Sequence, residues 1–253
     1  MTIDACAAVV ERGDPDRFAA IMAAPVTARP RLWVIHAFAI EVARAAWASK
    51  EPLICQMRLQ WWADLLADGV RRAHDVAGPL HDLLAEGAVS VQVLIDTVAA
   101  RHWDIERAPF ADTAKFDRYL NDTAAGLIWA GVRALGAGPD AEPVARDYGW
   151  AMGLANYLRA IPALEAQGRI PLVDGRPEAL RDLAAEGLAR LARARRLRRL
   201  LGPGGPALLP GWQAGALLVM VRDEPRLVGQ GALTLSEFSR RGRLLWQATT
   251  GLW

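Results

Sequence analysis

The stretch from Gly149 to Leu172 reads GWAMGLANYLRAIPALEAQGRIPL, and the rest of the chain is organised around it. Small residues recur at Gly149, Ala151, Gly153 and Ala155, and Asn156, Tyr157 and Arg159 follow on helical spacing. Pro162 and Gly168 are expected to close this helix, with Arg169 opening an extended tail.

Working outward, the same helical grammar repeats. Asp14 before Pro15 is a helix start, running to Ala24. Arg31 to Trp47 reads as a buried helix with Leu32, Ile35, Phe38 and Val42 on one stripe. Ser49 is the expected cap of the next helix, which stops at Gly69. A loop at Gly78-Pro79 enters a short helix, and Val89 to Arg107 reads as one long amphipathic helix. Asp112 or Thr113 caps the helix that continues to Gly136. Beyond Leu172, Arg176-Pro177 opens a helix ending in LARLARARRLRRL, and GPGGP (202–206) is expected to be a flexible loop. Two helices follow, near Leu208–Val221 and Leu235–Thr249. The pattern gives roughly nine to eleven helices, no strand alternation and no linker between two cores, hence an all-α chain folded as one domain over residues 1–253.

Composition agrees. The 253 residues are 53% apolar, and Ala, Leu and Arg are abundant while β-branched residues are scarce. A net charge of +2 does not call for nucleic acid as a partner. Cys6 and Cys55 lie far apart with no C-x-x-C, which fits reduced thiols in a cytoplasmic compartment. The first residues, MTIDACAAVVERGD, lack the basic start of a leader peptide. Leu200 to Val221 carries no formal charge, but prolines and glycines interrupt it and its helical part falls short of the about 20 residues a membrane span needs.

These segments resemble the squalene/phytoene synthase family. Its second signature reads G-x-A-x-Q-L-T-N-I-L-R-D-V-x-x-D, followed by G-R-x-Y-L-P. This chain keeps Gly149, Ala151, Leu154, Asn156, Leu158 and Arg159, while Ala160 and nearby Ala163 or Leu164 stand at the acidic positions. The first signature resembles L-Y-A-F-x-R-x-x-D-D-x-x-D. Here IHAFAIEVARAAW (35–47) keeps Ala37 and Phe38, has His36 for the tyrosine, and puts Ala43, Arg44 and Trp47 at the acidic positions. Only Glu41 stays acidic. SEPLICQMRLQWW (49–62 read without Lys50) resembles the S-E-P-x-x-x-x-x-R-L-Q-W-W pattern of a branch that includes the mitochondrial assembly factor for respiratory complex I. Further likeness runs through 6–18, 24–33 and 101–120.

The resemblance implies an isoprenoid synthase fold, a helical bundle around a central apolar cavity. In the family, paired Asp-x-x-x-Asp motifs hold magnesium ions on a substrate diphosphate. Their degeneration here implies a non-catalytic protein needing no cofactor, acting in complex I assembly and binding an isoprenoid-like lipid. The rival is an active prenyltransferase joining two prenyl diphosphates, with magnesium held by Glu41, Asp64, Asp68 or Asp104. A third reading is a lipid-binding protein docked on the inner face of the membrane through the basic run Arg190–Arg199. Arg58, Arg159, Arg169 and Asn156 are the candidates for holding a diphosphate or related anion. Tyr119 is the catalytic candidate, set against a packing role with its hydroxyl at the surface. Asp104 is a candidate partner for an arginine. The four histidines show no metal-ligand spacing.

Overall fold

A computed structural model describes residues 2–253. The chain begins with α1 (Ile3–Gly13), where the Thr2 hydroxyl accepts from the Ala5 amide, and α2 (Pro15–Met22), capped by Asp14 through the Arg17 amide. Then follow α3 (Arg29–Ala45), α4 (Pro52–Asp68), α5 (Ala77–Ala85), α6 (Val91–Ala100) and the single turn α7 (His102–Ile105). Next come α8 (Thr113–Leu120), a π-helical segment (Asn121–Ala125), α9 (Gly126–Ala134) and the long α10 (Glu142–Ala166). The C-terminal part has α11 (Pro177–Arg196), a 3-10 stretch (Arg198–Gly211), α12 (Ala214–Asp223), the short α13 (Arg226–Gly229) and α14 (Glu237–Thr250). No strand occurs among the described residues, so the chain is all-α.

Why α10 sits at the centre follows from its composition. Every residue from Tyr148 to Ala155 is buried, so the helix is enclosed on all sides, with α9, α11, α12 and the π segment packed against it. The small residues set how near those neighbours come. A Cβ on Gly149 would lie 2.7 Å from the Ala125 Cα, and one on Gly153 would lie 2.5 Å from the Ala124 Cβ. Helix backbones meet there in a way larger side chains would prevent. One continuous apolar core links α1 through α12.

Several local expectations are corrected. Pro162 does not end α10, which runs on to Ala166. A missing amide costs about 3 kcal/mol or more in a free helix; here Leu158 and Ile161, in the turn before the proline, are held in the core, and Leu164 after it is half-buried. Gly168, in the left-handed region at φ 75°, closes the turn. The segment Val89–Arg107 breaks at Arg101 into α6 and α7, because the Arg101 side chain turns in to Asp104 and Tyr119. Ser49 is not the cap of α4; Glu51 stands there, and the Ser49 hydroxyl accepts from the Glu51 amide in the turn before it. GPGGP is no flexible loop. It bends once at Gly202 (φ 47°), and Leu201, Gly204, Ala207, Leu208 and Leu209 are buried. Helices also outnumber the expectation: α1, α7 and α13 were not foreseen, two of them being single turns too short to leave a period.

Candidate functional site

Helix α10 forms one wall of a cavity of about 350 Å³, facing α3 and the run of α8, the π segment and α9. Its lining on α10 runs from Met152 to Leu164, about 18 Å at 1.5 Å per residue, so the space is elongated. Leu120, Ala124 and Leu127 make the apolar wall opposite. The π segment brings Thr123 and Ala124 to the lining. Its widened turn is stabilised from α6, where the Thr97 hydroxyl donates to the Asp122 carbonyl at 2.7 Å, and from within, where the Thr123 hydroxyl donates to the Tyr119 carbonyl at 2.6 Å.

The polar groups of the cavity fall into two sets. In the first, the Tyr119 hydroxyl donates to Asp104 at 2.9 Å and accepts from Arg101 at 2.9 Å, while Arg101 also pairs with Asp104 at 2.9 Å. Burial pushes the Tyr119 hydroxyl well above the ordinary phenol range, against the pull of the Arg101 charge. Tyr119 is therefore a neutral, fully partnered group. Its hydroxyl is buried, which corrects the expectation of a surface position, and Asp104 does meet an arginine, one turn away in sequence.

The second set is His36, Arg17 and Asn156. His36 is buried and its Nδ1 has no hydrogen-bond partner. Burial first, and then the Arg17 charge, hold its pKa well below the usual imidazole range, so it is neutral at pH 7. An unpartnered buried imidazole nitrogen carries a desolvation cost that a hydrogen-bonding ligand would relieve.

The positions where the family's acids are expected divide. Trp47, Ala160, Ala163 and Leu164 line the cavity, so the chain has indole, methyl and isobutyl groups where carboxylates would project. Ala43 and Arg44 do not line it. Arg44 is exposed on the far side of α3 and lies 3.7 Å from Glu41, so neither a repelling charge nor Glu41 reaches the cavity. Asp64 and Asp68 are also elsewhere, on the solvent side of α4: Asp64 accepts from Gln60 at 2.7 Å, and Asp68 pairs with Arg72. Magnesium takes oxygen ligands in near-octahedral geometry. The one carboxylate in the lining, Asp104, has both oxygens engaged by Tyr119 and Arg101, and no group of three or more metal-ligating side chains converges among the described residues. This donor set does not fit a magnesium cluster.

Of the anion-binding candidates, only Asn156 lines the cavity. Arg58 is exposed on α4. Arg159 turns to Asp16 at 4.0 Å, in a separate polar cleft of about 290 Å³ that shares Arg17 and Asn156 with the cavity. Arg169 is buried as a latch: its guanidinium donates to the carbonyls of Trp103, Asp104 and Glu106 at 2.6–2.7 Å and stacks on Trp103, 4.3 Å from the ring centroid. Its two Nη groups are spent on backbone carbonyls, and only the buried Nε is left without a partner. Sequence reasoning missed Arg17, Arg101 and Gln167 as lining residues. The i, i+3 spacing of Arg101 and Asp104 was the one available signal. Trp61 and Trp62 do not line the cavity; Trp62 packs edge-on against Phe38 at 5.4 Å.

A bundle of helices closed around an elongated apolar cavity defines the class: this is an all-α isoprenoid synthase fold. Solved structures agree. A dehydrosqualene synthase in complex with ligand superposes with a TM-score of 0.74 at 16% identity, covering 98% of this chain and 95% of that one. Squalene synthase HpnC from Alicyclobacillus acidocaldarius gives 0.72 at 16% identity (90% and 94%), and YisP from Bacillus subtilis gives 0.66 at 14% (96% and 94%). At such identities the likeness is one of fold. The squalene/phytoene synthase family model matches residues 10–173, and the chain belongs to that family. No curated protein sequence matches it.

Proposed function

We propose that this protein is a non-catalytic member of its family, holding one isoprenoid-like ligand in the cavity and acting in the assembly of respiratory complex I. The observation that carries the first part is the donor set of the cavity: Trp47, Ala160, Ala163 and Leu164 in the lining, with the only carboxylate there already satisfied. Ionising an allylic diphosphate needs its leaving group neutralised, and these side chains supply no means of doing so through metal. Binding is a smaller demand. The cavity lies near the lower end of the roughly 300–1,000 Å³ range of small-ligand sites, which suits one chain better than two. Neutral His36 and Asn156 can hydrogen-bond its polar end.

Support for the assembly role comes from α4. The segment that resembles the complex I assembly branch lies on this helix, and Leu53 and Met57 are 66% and 65% exposed there beside Arg58. Large apolar side chains one turn apart with an arginine beside them are what a protein partner covers.

The experiment pairs two measurements. Purified protein given farnesyl or geranylgeranyl diphosphate with magnesium is expected to release no pyrophosphate; release abolished by Tyr119→Phe would overturn the non-catalytic reading in favour of a prenyltransferase. Deleting the protein is expected to lower assembled complex I, with rescue by the wild type and not by Leu53→Asp/Met57→Asp. Unchanged complex I after deletion rejects the assembly role.

A further inference from the structure

Helix α14 is built inside out. Its inner side carries Gln247, which donates to the Tyr148 hydroxyl at 3.2 Å, and Arg240, which pairs with Asp16, with Leu244 and Ala248 packed against the core beside them. Its outer side carries Phe238, Leu245 and Trp246, which are 90%, 66% and 59% exposed. At 100° per residue, Phe238, Gly242, Leu245 and Thr249 form one outward stripe with Trp246 at its edge, and Arg241 and Arg243 flank it on opposite sides. A helix that folds only to complete this bundle would turn those three apolar side chains inward.

The neighbouring surface continues the pattern. Leu197 and Leu200 are exposed, and Arg198 and Arg199 between them line the same cleft as Gln247, Ala248 and Gly251 of the α14 end. Arg198, Arg199 and Arg243 meet no carboxylate among the described residues: Arg198 reaches only the Arg195 carbonyl, and Arg243 only the Ser239 hydroxyl. The earlier part of the basic run differs. Arg190 is held by Asp117, Asp147 and Glu186 and stacks on Trp150, Arg193 is held by Asp147, and Arg195 donates to the Trp253 carbonyl. The free charge therefore lies at Arg196, Arg198 and Arg199 and on α14, not along the whole of 190–199. No single helix among the described residues is long and apolar enough to cross a membrane.

We propose that the outer face of α14 and the adjoining Leu197–Leu200 turn dock on an anionic lipid surface, Phe238, Leu245 and Trp246 entering the headgroup boundary while Arg198, Arg199 and Arg243 meet lipid phosphates and Arg241 stays paired with Glu237. Charge complementarity selects this occupant. Unpaired arginines around large apolar side chains match an interface that is apolar below and negative above. A second copy packed about a two-fold axis would bring the same arginines against each other.

Flotation with phosphatidylcholine vesicles, with and without phosphatidylglycerol, tests this on the full chain. The wild type is expected to float with the anionic vesicles only, and to be released at high salt. The triple variant Phe238→Ser/Leu245→Ser/Trp246→Ser is expected to bind at least roughly tenfold more weakly. The variant Arg198→Glu/Arg199→Glu/Arg243→Glu loses roughly fivefold or more per arginine. Both sets alter exposed side chains, and far-ultraviolet circular dichroism checks that each variant is folded; either alone suffices should the other fail. The proposal is overturned by a wild type that ignores anionic vesicles, by equal binding to neutral ones, or by folded variants that bind as the wild type does. Self-association in ultracentrifugation that the serine variant abolishes, without vesicle binding, identifies a second copy as the occupant instead. Capture of an acidic protein by the same face, again without vesicle binding, overturns it too.

Discussion

Arginines do opposite work in two regions of this molecule. Around the cavity, Arg101 and Arg169 are turned inward and every strong interaction they make is with the chain itself. At the C-terminal end, Arg198, Arg199 and Arg243 are turned outward with no carboxylate to meet. The residue type is the same, and neither Arg101 nor Arg169 lies within a helix. What differs is the number of acceptors within reach, and that decides whether an arginine fixes a fold or waits for a ligand.

The contrast can be broken most forcefully at Arg169. Replacing it by methionine leaves three carbonyls without donors, and chemical denaturation is expected to show a loss of about 3–5 kcal/mol. A loss below 1 kcal/mol would mean that the latch is incidental and return Arg169 to the anion-binding candidates. Tyr119→Phe removes one donor to Asp104 and one acceptor for Arg101, for an expected loss of about 1–3 kcal/mol. No loss would indicate that the three-residue cluster is open to water or ligand.

His36 sharpens the inner region through pH. Its folded-state pKa is depressed, so below the unfolded value of about 6.5 the unfolded chain binds the proton that the folded chain refuses. Stability is therefore whole above that pH and falls as pH drops below it, by up to about 1.4 kcal/mol per unit until the folded pKa is reached. His36→Phe is expected to flatten this part of the profile between pH 6.5 and 5; an unchanged slope would assign the acid sensitivity to other groups. The smallest effect belongs to the outer region. Arg199→Ala is expected to leave the melting temperature where it was, and a clear drop would show that a partner within the chain had been overlooked.

Much of the fold was legible because its central helix is specified by size. Gly149, Gly153 and the alanines beside them admit close neighbours, and the structure puts Ala124 and Ala125 there. The candidate site was legible only in outline. Ala160, Ala163 and Leu164 do line the cavity, since short side chains on a placed helix have little choice of direction, and Trp47 reaches it from the turn after α3. The long ones do. Arg58, Arg159 and Arg169 looked equivalent in sequence, and one faces solvent, one faces Asp16 and one is buried under Trp103. Four to six rotatable atoms separate each charge from the backbone that sequence periodicity can locate. His36 left no trace either, because an unpartnered nitrogen is defined by what is missing around it. For α14 the period was readable and the inward face was not; periodicity finds two faces and leaves open which one the body takes.

The Arg169 latch also has a consequence for how the chain is made. Its guanidinium closes on carbonyls 63 to 66 residues earlier. A nascent chain emerging from the ribosome N-terminus first has made α3 through α9 before position 169 leaves the tunnel. Until then the stretch around Trp103 and Glu106 has no guanidinium to fix its carbonyls, and the aromatic side chains beside the cavity stay reachable. Fixing this segment is thus a late event of synthesis, coming after every helix on the far side of the cavity has been made.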